Sequence, residues 1–143
     1  MDVIVLAGEK KDTVNKAFYK IKDKYMIEYV VETLRKSESI DRIAVVGPKD
    51  KLEPAIGGIV DIVVEGTDSI VSNILLALEY FPEANKILVV TSDIPMITRE
   101  AMEDFIARCN EKDVDLCYSI VDKKVNDQKY PGVRRTYARL WEG

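Results

Sequence analysis

The chain has no histidine among its 143 residues. That absence removes Ser-His-Asp and Cys-His nucleophile mechanisms, so any chemistry must use carboxylates, Lys, Arg, backbone groups or a metal. Cysteine is nearly as scarce: Cys109 falls on an apolar helical stripe and Cys117 in a strand-like run. They lack metal-ligand spacing, and without histidine they make a poor zinc site. Glycine is limited to 7 residues, arranged as neither the dinucleotide G-x-G-x-x-G nor a Walker loop. No segment approaches the roughly 20 apolar residues that span a bilayer. The start, Met1-Asp2-Val3-Ile4, has no basic n-region or cleavage site, and a cytoplasmic location is expected.

What is present describes an ordinary globule, 47% apolar and 32% charged, of a length that suits one domain over 1–143. A net charge of −4 argues against a protein that coats nucleic acid. The acidic balance is interrupted by two locally basic segments. One carries Lys10, Lys11, Lys16, Lys20, Lys22 and Lys24; the other lies between Asp122 and Arg139. They suit an anionic small molecule, and read singly they equally suit solvated lysines.

Unbroken apolar runs at Val3–Ala7 and Ile43–Val46 predict strands covered on both faces, and Val60–Glu65 and Ile87–Thr91 read as the third and fourth strands. Helical spacing joins Met26, Ile27, Val30, Val31 and Leu34, then Ile70, Ile74, Leu75, Leu78 and Phe81, then Met102, Phe105, Ile106 and Cys109. Lys49 to Gly58 has room for one helical turn. Val114–Val121 reads as a fifth strand, 122–131 as irregular, and 133–141 as a terminal strand. Strand–helix alternation implies a three-layer α/β/α fold around a mostly parallel, Rossmann-like sheet.

Three strand ends carry candidate chemistry. Leu6-Ala7-Gly8 lets backbone N–H groups approach a phosphate, with Lys16 as a point charge; alternatively Gly8 only turns the chain. Gly66-Thr67-Asp68-Ser69 with Asn73 offers small polar groups for a base or ribose, although Asp68 or Ser69 is also an ordinary helix cap. Asp93 follows the fourth strand, before Pro95 and a potential cap at Thr98. In open α/β sheets ligands bind beyond the carboxyl ends of the strands, where Asp93 could hold Mg²⁺. The convergence of Gly8, Gly66 and Asp93 on one sheet edge favours a nucleotide-phosphate-plus-metal site.

The segments Val3–Gly8, Lys16–Ile21, Met26–Val30, Gly66–Asn73 and Thr91–Met96, in that order, resemble the N-terminal portion of the MobA-like NTP transferase domain family. These are nucleotidyltransferases with a glycosyltransferase-A-like, nucleotide-diphospho-sugar transferase type of fold. The resemblance implies Mg²⁺-dependent transfer of a nucleoside monophosphate from an NTP to a phosphorylated small-molecule acceptor, releasing pyrophosphate. It implies that Leu6, Ala7 and Gly8 cradle the nucleotide and that Lys16 neutralises phosphates. Gly66, Ser69 and Asn73 would meet the base and ribose, and Asp93 would bind the metal, so that Lys16 and Asp93 are the catalytic pair. No nucleic-acid or membrane partner is implied, and an oligomer is left open.

Two departures stand out. Glu9 occupies the place of the second Gly in the family's Leu-Ala-Gly-Gly loop, and Tyr25 replaces Pro in its Lys-Pro-Met segment. The chain also stops short of the family's acceptor half, so it reads as truncated. The alternative is therefore a catalytically degenerate nucleotide-binding or regulatory domain of the same fold.

Overall fold

The computed structural model describes residues 1–8 and 14–138, in two compact units, 1–107 and 108–143. In the first unit four parallel strands, β1 (Asp2–Leu6), β4 (Ile43–Gly47), β5 (Ile62–Glu65) and β6 (Ile87–Thr91), lie in the order β5-β4-β1-β6. A small antiparallel pair, β2 (Lys20–Ile21) and β3 (Lys24–Tyr25), stands apart from this sheet. Lys22 turns that hairpin at a φ of 60°.

The apolar runs behave as doubly covered strands because alternate residues face different helices. Val3, Val5, Val45 and Val90 pack with α1 (Met26–Arg35), α2 (Lys49–Ile56) and α4 (Arg99–Asn110). Ile4, Ala44, Val46 and Val64 pack with α3 (Ile70–Leu78) and Phe81 on the opposite face. The expected three-layer α/β/α architecture is present. Fully burying a Val, Leu or Ile side chain contributes about 1.5–3 kcal/mol, and the first face buries most of these. That face is the rigid floor beneath the strand ends. Among the described residues no helix is long and apolar enough to cross a membrane.

Several boundaries and faces differ from the sequence reading. Lys49–Ile56 forms two turns of helix rather than one. On α3 the buried side chains are Asn73 and Ala77, with Ile74 and Leu78 partly buried, while Ile70 and Leu75 are exposed. A polar residue took the inward position that apolar periodicity assigns only to hydrophobes. Ile70 is also in the helix's first turn, the end that lies at the strand ends rather than over the sheet.

The second unit departs further. Residues 114–121, expected as a strand, are not in one, and Leu116, Tyr118 and Ile120 are exposed. Alternation alone makes no strand, since the ladder needs a partner, and none pairs with this segment among the described residues. The segment 122–131, expected to be irregular, contains α5 (Lys123–Lys129). Apolar periodicity could not signal this helix, because it buries no residue. It is held by Asp122, which caps the Lys124 amide at 2.7 Å, and by the Lys123–Asp127 pair. Tyr137 adds a hydroxyl bond to Asp127 at 2.8 Å. Of the expected terminal strand, residues 133–138 are not in a strand. Residues 139–141 lie outside the described ones, as does Glu9.

Asp61 ties the start of the edge pair together. Its Oδ2 accepts the Ile43 amide at 2.7 Å and the Arg35 guanidinium. Burial pushes its carboxyl pKa up, but the Ile43 amide and Arg35 outweigh burial, so it lies below its ordinary value. A carboxyl with a lowered folded pKa stabilises above its unfolded pKa of about 3.9 and loses this contribution as pH falls through the folded value. Asp61→Ala is expected to cost about 1 kcal/mol at pH 7. Urea unfolding across pH checks it: the cost should shrink on acidification, and a pH-independent cost contradicts the assignment.

Candidate functional site

The site is built around the end of β1. The Ala7 amide donates to the Val46 carbonyl at 2.8 Å, and the Ser92 amide donates to the Leu6 carbonyl at 3.1 Å. These bonds carry the sheet one step past the formal strands and bring the chain after β6 beside the chain after β1. Backbone approach here is unusually close. A Cβ on Gly47 would lie 2.5 Å from the Ala7 carbonyl oxygen, and one on Gly66 would lie 2.9 Å from the Gly47 Cα. Glycine is required at both positions by contact with backbone that cannot step aside.

Gly8 leaves β1 against the loop after β5: a Cβ there would come within 2.9 Å of the Asn73 Nδ2. Asn73 itself is buried. Its Oδ1 accepts from the Thr67 amide at 2.6 Å and the Thr67 hydroxyl at 3.0 Å, and its Nδ2 donates to the Thr67 carbonyl at 2.9 Å. The carboxamide expected at a base or ribose is thus engaged in clamping the Gly66–Ser69 turn. Ser69 caps α3 by accepting from the Ser72 amide at 3.2 Å. Its side chain remains exposed at the helix N-terminus.

Lys16 begins a one-turn 3-10 helix, Lys16–Phe18. Its Nζ lies 3.5 Å from the Asp93 Oδ2, joining residues 77 positions apart. The two side chains are 66% and 40% exposed, and such a surface pair contributes only about 0–1 kcal/mol to stability. Its weakness matters, because either partner can exchange the other for a ligand at little cost. Gly8, Lys16, Gly66, Ser69 and Asp93 therefore share the carboxyl edge of the sheet, while Leu6 and Ala7 form its floor.

Among the described residues no cluster of three metal-ligating side chains occurs. Asp93 is an exposed carboxylate that belongs to no such cluster among the described residues. It fits Mg²⁺, which commonly takes one or two carboxylates and completes its shell with water and substrate phosphates. A cleft of about 810 Å³ opens between the 3-10 turn and α2, lined by Val14, Phe18, Tyr25 and Pro54 among others. Neither Lys16 nor Asp93 lines it, so it is a neighbour of the site rather than the site.

Two contributors escaped the sequence reading. They are Gly47, held against the Ala7 carbonyl, and Asn15, which precedes the 3-10 turn. An Asn immediately before a short helical turn is a capping signal, and that signal was available for Asn15.

Residues 3–138 match the MobA-like NTP transferase domain family. A curated relative, the bifunctional protein GlmU of Thermodesulfovibrio yellowstonii, is 25% identical over 122 residues, covering 81% of this chain and 27% of that protein. The fold is shared with the CMP:2-keto-3-deoxy-manno-octonic acid synthetase in complex with CTP (TM-score 0.65, 17% identity, 77% of this chain and 47% of that one). It is shared also with Rv0371c from Mycobacterium tuberculosis H37Rv in complex with manganese (TM-score 0.62, 17% identity, 77% and 59%). The chain thus spans about a quarter of the curated relative and about half and three-fifths of these two structures.

Asn73→Ala removes a buried carboxamide together with its bonds to the Thr67 backbone and hydroxyl and is expected to destabilise by about 1 kcal/mol. Thermal unfolding checks this, and an unchanged Tm contradicts the clamp.

Proposed function

The chain belongs to the MobA-like NTP transferase domain family, and from that premise we propose that it binds a nucleoside triphosphate across the strand ends and transfers its nucleoside monophosphate. The observation that carries this reading is the approach of Lys16 to Asp93 at 3.5 Å. A cation for phosphate oxygens and a carboxylate for a hard metal stand together at the edge where open α/β sheets take ligands. Gly8, with no side chain, lets the phosphates approach the backbone, while Leu6 and Ala7, whose backbone groups are engaged with Ser92, Val46 and Asn15, hold it in place. Gly66 and Ser69 face the sugar and base, and Asn73 contributes by holding their turn.

The reaction is displacement at the α-phosphorus. An oxygen of a phosphorylated small-molecule acceptor forms the new P–O bond while the bond to the β-phosphate oxygen breaks, and pyrophosphate departs with that electron pair. Lys16 offsets the charge that accumulates on the phosphate oxygens. Asp93 is the residue that would hold Mg²⁺, which when bound supplies further charge neutralisation and alignment of the triphosphate. No proton has to move through a histidine, which agrees with a chain that has none.

Glu9 supports a second reading, since a carboxylate in the phosphate loop repels a triphosphate. In that reading the chain binds nucleotide as a regulatory domain without turnover. Pyrophosphate release with each NTP and Mg²⁺, with and without candidate phosphorylated acceptors, separates the two. Release supports transfer, and metal-dependent binding without release supports the regulatory domain. Asp93→Ala is expected to abolish the Mg²⁺ dependence of nucleotide binding, and unchanged dependence by calorimetry rejects the metal role. Lys16→Ala is expected to weaken triphosphate binding about tenfold and nucleoside binding little; equal losses contradict a phosphate role.

A further inference from the structure

We propose that Asn15 is the positioning residue for Lys16, tying the turn that carries this lysine to the end of β1. The proposal rests on the nucleotide reading of the Lys16–Asp93 site. A three-residue 3-10 helix cannot fix its own place. Its backbone bonds, Phe18 to Asn15 at 3.2 Å and Tyr19 to Lys16 at 3.0 Å, are internal and say nothing of where the turn sits. Its location must come from anchors on either side of Lys16.

After Lys16 the anchor is apolar. Ala17 is fully buried, and the Phe18 ring meets Tyr25 edge-on with centroids 5.7 Å apart. Before Lys16 the anchor is the Asn15 carboxamide, which is buried and bridges two backbone groups. Its Nδ2 donates to the Ala7 carbonyl at 2.9 Å, and its Oδ1 accepts from the Ala17 amide at 2.9 Å. One planar group holds the strand end and the turn together, with Lys16 between the two fixed points. From there its Nζ reaches Asp93, two-thirds exposed and open to a phosphate.

The residue type follows from this task. Asp would keep the acceptor for Ala17 but turn a carboxylate oxygen toward the Ala7 carbonyl. Ser could cap the turn but is too short to span to β1. Both polar atoms of Asn15 are engaged within the fold, so its influence on a ligand passes through Lys16. Lysine carries about 2 kcal/mol of rotamer entropy, and fixing its backbone narrows the space the ammonium searches.

Calorimetry with each Mg²⁺-NTP and its nucleoside tests this on wild type, Asn15→Ala, Asn15→Asp, Lys16→Ala and the Asn15→Ala/Lys16→Ala double variant. Asn15→Ala is expected to weaken Mg²⁺-NTP binding about tenfold, a size typical of directly coupled residues. Nucleoside affinity should stay within about twofold, and adding Asn15→Ala to Lys16→Ala should cost nothing more. Asn15→Asp, which preserves volume and the cap, should show the same selective loss and serves if the alanine variant does not fold. Losses that add independently to Lys16→Ala, or fall equally on nucleoside and triphosphate, overturn the positioning role while leaving the nucleotide site standing. If wild type binds no Mg²⁺-NTP, or Lys16→Ala leaves binding unchanged, the nucleotide reading itself fails and the proposal with it.

Discussion

The carbonyl of Ala7 is the point to which the rest of the site is referred. It accepts the buried Asn15 amide and lies where a side chain at position 47 would stand. The same residue's N–H continues the ladder to Val46. Through Asn15 the carbonyl locates Lys16, and through the glycine contacts Gly47 and Gly66 it locates the end of β5. One backbone group in the middle of the sheet therefore sets the spacing of elements that are distant in the chain. It can do so because β1 is a central strand with Val3 and Val5 packed on one face and Ile4 on the other.

That rigid floor carries a deliberately loose upper layer. The clamps beneath the site, Asn15 on Ala7 and Asn73 on Thr67, are buried and fully hydrogen-bonded, and breaking such groups costs the desolvation of whatever is left unpaired. The pair above them, Lys16 with Asp93, is solvent-exposed and weakly held. A nucleotide with its metal offers both residues better partners than they offer each other. Neutral clamps below and exchangeable charges above let a ligand bind without disturbing the strand ends.

Much of this was legible in the sequence. Doubly covered strands announce themselves as charge-free β-branched runs, and β6 occupies the predicted Ile87–Thr91. Gly8, Gly66 and Asp93 could be placed at one edge because each follows a strand end, whereas Lys16 was paired with Asp93 through the family resemblance. The clamps were not legible as clamps. An Asn reads alike whether its amide meets a ligand or a neighbouring backbone group, so Asn73 looked like a ligand contact and Asn15 was given no role. Gly47 depends on a carbonyl 40 residues away, which no local pattern encodes. In the second unit alternation suggested a strand at 114–121, with which none of the described residues pairs, and α5 forms from caps and an i,i+4 charge pair without burying any residue.

The central claim is that a metal–nucleotide complex sits between Lys16 and Asp93 over the end of β1. Paramagnetic broadening by Mn²⁺, followed on backbone amide resonances with an NTP present, tests it most directly. The account predicts broadening centred on Gly8, Lys16, Gly66 and Asp93 that requires nucleotide and disappears in Asp93→Ala. Broadening centred elsewhere, or unchanged in that variant, would contradict it.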